Sequence, residues 1–470
     1  MATAIRVAAA VGVAAIYLLR KRASQNIGIN LDEWQYPVKE FSRADGRLEC
    51  QLKALECVGE LDIPLSIWNN ATALVKEILD MLLQEMRVQA SQYEGLVFDG
   101  YRKQGSGRDG LKIRTPDEFD VLLEYHIEGL HVEPVPIDAF PGLGEMKILN
   151  TDYEIERRFA TWLRKNVIVR HQGSYYLRAR ILHQSVFESL LDRCREKIAN
   201  RTNRNISFQL TRSMNPPSVN LTIKNIQRDK GIVGALWDWL LAEGNEPDVI
   251  DIDIVPAMMV VKEKARCTSG FIDCPRYAVV KWMEDTQILA SRFEDPSMIW
   301  RICTSGYEKH YMDLARNDTG KRYIMTACRI IKTFMSKEKE KRLSGQLPLP
   351  ISTFLRSFYL KNIAFYCMLF TKSVTGVRQA LGYFLGFLKI SLEEERLPEF
   401  FHGNCLLKND FPSCAVGDQV NIFEHVSRDT LINARHSLGT VLFQLSEAFD
   451  KKDLESGPCQ KFKSFVTSSI

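Results

Sequence analysis

The chain has 470 residues, 45% of them apolar and 26% charged, with a formal net charge of +4. This is the composition of a globular protein large enough for two lobes, and it excludes wholesale disorder. The eleven cysteines include no CxxC pair and none at zinc-site spacing, so reduced thiols are expected and zinc is not.

The first feature in chain order is an apolar run, Ala4 to Leu19, with Arg6 near its start and Arg20, Lys21 and Arg22 after it. As a helix it would be about 24 Å long, against about 30 Å for a bilayer core. A cleaved signal peptide is disfavoured because Tyr17-Leu18-Leu19-Arg20 stands where small residues belong. The preferred reading is a single-pass membrane anchor over residues 1–24, with the rest of the chain in the cytosol by the positive-inside rule. The alternative is a soluble or surface-lying Ala-rich helix.

Residues 25–60 read as a tether. Apolar spacing predicts a long helix over 64–94. The β-branched segments from Gly95 to Ile127 read as strands around a glycine-rich turn. Residues 151–200 return to helix with a basic flavour. ISFQLTR and SVNLTIK are strand-like, and 228–247 reads as an insertion with a short helix. IDIDIVPAMMVV is a strand, and after about residue 286 the pattern is helical. The expected division is a catalytic lobe over 61–285 and a helical lobe over 286–470.

Two carboxylates stand out. Glu118 and Asp120 flank Phe119 in a strand, so both face one side, about 6.6 Å apart along the chain. Acids placed in this way need a counter-charge, and a divalent cation supplies it. Upstream, Gly105-Ser106-Gly107 offers a tight turn, a hydroxyl and exposed amides suited to phosphate. Downstream, Asp253 and Asp251 share a strand face, and a third carboxylate completes a two-metal site. Each signal is weak alone; their order along the chain is much stronger.

The run GSGRDGLKIRTPDEFDVLL resembles the activation-loop and catalytic-strand signature of the cyclic GMP-AMP synthase-like receptors (cGAS-like receptors) of the male-abnormal (Mab) nucleotidyltransferase family. The resemblance extends over roughly residues 60–410, through IWRICTSGYEK, ACRIIKTFM, LRSFYLKNIAFY and LPEFF. It implies an α+β, bilobal nucleotidyltransferase fold with a mixed sheet, a long spine helix and a C-terminal helical lobe. It selects Asp253, not Asp251, as the third acid beside Glu118 and Asp120, holding two Mg²⁺ or Mn²⁺ ions. It implies nucleotide contacts from Gly105, Ser106, Arg301, Ser305, Glu308, Lys332, Ser357 and Phe358. Residue by residue, blander readings stay open: Lys332 snorkelling, Phe358 as core, Arg301 stacked on Trp300.

The implied reaction joins ATP and GTP into a cyclic dinucleotide, a second messenger of innate immunity. The zinc thumb of cyclic GMP-AMP synthase is missing from SGYEKHYMDLARNDTGKRYIMTA, which turns the expected activator from DNA towards double-stranded RNA or another polyanion. Arg157, Arg158, Arg164 and Lys165 are the candidate nucleic-acid contacts, with a solvated helix face as the alternative. The rival functional reading is a catalytically silent, membrane-anchored nucleotide-binding scaffold of the same fold.

Overall fold

The computed structural model describes residues 33–468, apart from 38, 138–139, 141, 202–205, 213–217, 226–248, 268–269, 282–292 and 425. The fold is α+β, with a large mixed sheet followed by a helical region. Helix α1, Leu65–Ala90, runs for 26 residues, close to the predicted span. Its buried stripe includes Ala71, Val75, Ile78, Leu82 and Met86, the spacing of a single apolar helix face.

After α1 come β1 (Leu96–Gln104), the short helix α2 (Gly105–Asp109) and β2 (Glu118–Ile127). The expected glycine-rich turn is therefore one helical turn, ended by Gly110 in the left-handed region at φ +70°. β3 (Val132–Pro136) and β4 (Leu143–Ile148) follow. Residues 151–200 depart from the helical expectation. Helices α3 (Asp152–Arg158) and α4 (Ala160–Arg164) are short. The hairpin of β5 (Ile168–His171) and β6 (Ser174–Leu177) then intervenes, and the longer helix α5 (Glu188–Arg201) comes last. The β-branched and aromatic residues Ile168, Val169, Tyr175 and Tyr176 outweigh the helix-formers around them.

β7 (Ile206–Arg212), β8 (Val219–Asn225), β9 (Val249–Cys267), β10 (Gly270–Val280) and β11 (Ile299–Cys303) complete the sheet. Its main path is β1-β2-β9-β10-β11-β4-β6-β5, with β8 also paired to β9. β2 and β9 are parallel, and their register sets Asp120 opposite Asp253. Alternation does the rest. Phe119, Val121, Leu123 and Tyr125 bury one face of β2 in the core beneath α1, while Glu118 and Asp120 project from the other.

The helical region holds α6 (Ser305–Arg316), α7 (Thr319–Glu340), α8 (Ser357–Phe370), α9 (Val377–Glu393), α10 (Arg428–Gln444) and α11 (Gly457–Ser468) around a second core. Phe387 stacks on Phe462 there, with ring centroids 4.4 Å apart. Within the stretch 25–60 expected as a tether, residues 46–54 and 58–60 are helical, the second helix ending at Leu61, and Leu48, Leu52 and Leu61 are buried in this second core.

The membrane-anchored location expected from the sequence is corrected here. Among the described residues, no helix is long and apolar enough to cross a membrane. The run 4–19 on which the expectation rested is short and Ala-rich, and it lies outside the described residues. So does the expected short helix within 228–247.

Candidate metal centre and nucleotide cleft

Two neighbouring strands deliver the three acids. Glu118 and Asp120 come from β2, Asp253 from β9, and each offers a carboxylate oxygen within 4.8 Å of the others. Asn220 on β8 donates its Nδ2 to Asp253 Oδ1 at 3.1 Å. Asp251 is engaged elsewhere, by the Thr222 hydroxyl at 2.6 Å. That contact separates the two acids of IDIDI, which parity alone leaves equivalent.

The α2 turn is pressed against the triad. Gly105 sits at φ +68°, and a Cβ placed there would fall 1.7 Å from Asp120 Oδ2. Glycine is required at this position by the close approach and by the backbone angle together. Gln104, the last residue of β1, pairs with Asp120. Trp34 closes the other side, with its ring 4.8 Å from that of Phe119, and Gln35 donates its amide to Gly107 O at 3.0 Å.

The electrostatics follow from this crowding. Burial first, then repulsion from Glu118 and Asp253, pushes the Asp120 carboxyl from 3.8 to about 7, against the pull of Lys112 and Lys361. Burial also raises Asp253, opposed by the Asn220 hydrogen bond. Lys112, itself buried, places Nζ 2.9 Å from Asp117 Oδ1 and 3.6 Å from Glu118 Oε2. Lys112 pairs with only one of the three converging acids, and Lys361 is held by Asp109 and Glu308, so the donor set fits an oxygen-seeking divalent cation.

Lys332 stands nearby on α7. Its ammonium donates to Leu111 O at 3.4 Å, and burial together with Lys112 lowers it from 10.5 to about 8. Lys361 bridges Asp109 at 3.1 Å and Glu308, joining α8, α2 and α6. Burial alone would lower Lys361, but the two acids raise it well above its ordinary value. Glu308 is thus occupied by Lys361 and by the Thr304 hydroxyl at 3.4 Å. Ser305 is buried at the start of α6, and its Oγ has no hydrogen-bond partner among the described residues.

Arg301 is exposed and lies opposite Val279, which in turn lies opposite Ala257. Strand parity then places it on the triad's face of the sheet. Ser357 and Phe358 begin α8 and are exposed, Phe358 at 40%. Arg157 and Arg158 are exposed on α3, Arg164 on α4 and Lys165 at its C-terminal cap, not on one long helix. Arg157 donates to the Tyr153 hydroxyl at 2.8 Å, and Lys165 lies 5.3 Å over the Tyr93 ring.

Several site-supporting groups carry no sequence signal. Arg108, only 1% exposed, makes a two-pronged pair with Asp313, Nη1 to Oδ1 at 3.0 Å and Nη2 to Oδ2 at 2.8 Å. Arg316 reaches the same carboxylate at 2.9 Å and donates to Arg108 O. A pairing across about 200 residues has no periodicity by which to find it.

Residues 108–313 match the Mab-21 protein nucleotidyltransferase domain. The match makes this segment similar to that nucleotidyltransferase domain. No curated protein matches the chain. The Mab-21 segment begins at Arg108 and ends at Asp313, the two partners of the buried ion pair. It contains all three acids of the triad, on the parallel neighbours β2 and β9.

Proposed function

We propose that the protein is a metal-dependent nucleotidyltransferase that joins ATP and GTP into a cyclic dinucleotide, with a nucleic acid such as double-stranded RNA as its activator in innate immunity. In this reading residues 61–285 form the catalytic lobe and 286–470 the helical lobe. The observation that carries it is the convergence of Glu118, Asp120 and Asp253 with the Gly105 backbone pressed on Asp120.

The triad would hold Mg²⁺ or Mn²⁺, which when bound supplies Lewis acidity and neutralises phosphate charge. The chain's own groups do the positioning. Ser106 and the amides at the start of α2 receive phosphate oxygens. Lys332, close to the triad, adds positive charge for the triphosphate. Phe358 offers an exposed face for a base, and Arg301, Ser305, Glu308 and Ser357 line the approach. In each transfer a ribose hydroxyl oxygen bonds to the α-phosphorus of the other nucleotide. The bond to pyrophosphate breaks, and the hydroxyl proton leaves to solvent. Two such transfers close the ring.

A second reading has one specific support: Lys332, Lys361 and Glu308 are already engaged by protein groups. A catalytically silent nucleotide-binding scaffold of the same fold fits that engagement. The deciding experiment is turnover of radiolabelled ATP and GTP by the full chain with Mg²⁺ or Mn²⁺, with and without long double-stranded RNA or DNA. A phosphatase-resistant product that disappears in Asp120→Ala supports the enzyme. Nucleotide binding with no product under any condition supports the scaffold. A preference for the Arg157, Arg158, Arg164 and Lys165 surface would show as lost RNA stimulation when the four are changed to Glu.

A further inference from the structure

Arg329 is a large charged side chain with no exposure at all. It lies on α7, and each arm of its guanidinium donates to a main-chain carbonyl: Nε to Lys112 O at 3.1 Å, Nη1 to Pro37 O at 3.3 Å, and Nη2 to Leu61 O. No carboxylate is among these partners. Asp62, the nearest acid that acts on it, is held by Lys39 at 2.6 Å. Burial lowers the Arg329 guanidinium from its ordinary value to about 10. A buried cation compensated only by carbonyl dipoles is a poor way to gain stability, because an apolar side chain of similar volume fills the space without the desolvation cost.

The three carbonyls explain what the arginine does. They belong to the N-terminal segment, to the helix ending at Leu61, and to the catalytic loop between α2 and β2. Lys112 is the link to the metal centre. Its main chain is fixed by Arg329, and its ammonium contacts Asp117 and Glu118. Glu118 is the most exposed acid of the triad, with 59% of its side chain accessible.

We propose that Arg329, acting through Lys112, is a positioning residue that sets the Glu118 end of the metal triad. It touches neither substrate nor metal. The proposal rests on the metal-centre reading above and assigns to one buried side chain the job of fixing that centre's most exposed acid.

The sign of the effect separates position from charge. Removing the cation at Lys112 by charge alone strengthens binding of a divalent metal beside it. Removing a residue that orients a ligand weakens it, by about 10- to 100-fold for such supporting groups. The experiment uses the full chain as wild type, Arg329→Lys, Lys112→Gln and the double variant. Mn²⁺ affinity is read by titration calorimetry, kcat and KM for ATP by turnover, and order in the loop by hydrogen exchange over residues 110–117.

Expected are Mn²⁺ binding about 10-fold or more weaker in each single variant, a fall in kcat with KM for ATP unchanged, faster exchange over 110–117, and a double variant no worse than the more severe single. Tighter or unchanged Mn²⁺ binding in Lys112→Gln overturns the proposal, as does strict additivity in the double. If Arg329→Lys does not fold, Arg329→Gln and Arg329→Met take its place in the same titrations and hydrogen-exchange readings, and native Mn²⁺ affinity in a folded Arg329 variant overturns the proposal. If the wild type binds Mn²⁺ but turns over no nucleotide, the enzymatic reading falls and the titrations still decide this one. If the wild type takes up no Mn²⁺, the metal-centre reading falls and this proposal with it.

Discussion

Asp120→Asn should make the cation-free protein more stable above neutral pH. The folded carboxyl sits at about 7 and its ordinary value is 3.8. Between those two pH values the folded chain binds a proton that the unfolded chain has lost. Stability therefore falls as pH rises through this window, and the whole cost is present above about 7. At about 1.4 kcal/mol for each pH unit, the ceiling is about 4 kcal/mol. Asparagine keeps the shape and carries no charge, so the variant escapes this cost. The assay is thermal unfolding in chelator at pH 5 and pH 8, repeated with Mn²⁺. In chelator, the variant should gain on wild type between pH 5 and pH 8. Mn²⁺ should then raise the wild-type midpoint more at pH 8 than at pH 5, because protons compete for the same carboxylates, and should do little for the variant. A variant less stable than wild type at pH 8 in chelator would refute the reasoning, and so would a Mn²⁺ effect independent of pH.

Three further outcomes follow from single contacts. Gly105→Ala places a methyl carbon 1.7 Å from Asp120 Oδ2 in a left-handed backbone, so nucleotide turnover should be lost while Asp253 and its Asn220 partner stay in place; activity within about twofold of wild type would contradict the close approach. Asp313→Ala strands Arg108 and Arg316 without their shared acid and should cost about 3–5 kcal/mol in denaturant unfolding, whereas a loss below about 1 kcal/mol would mean the pair is solvated. Phe358→Ala should leave stability within about 0.5 kcal/mol and raise KM for ATP about tenfold, because the half-exposed ring is free to stack on a base; an unchanged KM would return Phe358 to a packing role.

How much of this was legible depended on how far each relationship reaches along the chain. Parity within one strand gave the pairing of Glu118 with Asp120 and the burial of Phe119. The long apolar stripe gave α1 to within a few residues. The hairpin at 168–177 was hidden because four-residue strands carry too little periodicity to stand out from the helices around them. Asp251 and Asp253 were equivalent by parity, and the register against Thr222 and Asn220 on β8 tells them apart. Arg108, Asp313, Arg316 and Arg329 were invisible for a different reason. Each is a charged residue that local pattern assigns to the surface, and each is made buriable by partners far away in sequence.

Those same buried cations tie the loop to the helical region more tightly than sequence alone could suggest. Arg316 holds Arg108 O, Lys332 holds Leu111 O, Arg329 holds Lys112 O, and Arg114 pairs with Glu60 at 2.6 Å and with Glu340. Three successive carbonyl contacts from α6 and α7 leave the segment between Gly105 and Glu118 little freedom to move on its own. The loop carries the Gly105 turn, pressed on Asp120, at one end and the first triad acid at the other. A shift of α7 relative to the sheet is therefore felt by both at once, without any contact to the acids themselves. The size of that coupling is bounded by the contacts themselves: charge-assisted bonds of this kind contribute about 1.5–3 kcal/mol each, and the Lys332 contact, at 3.4 Å against 3.1 Å for Arg329, sets the lower end.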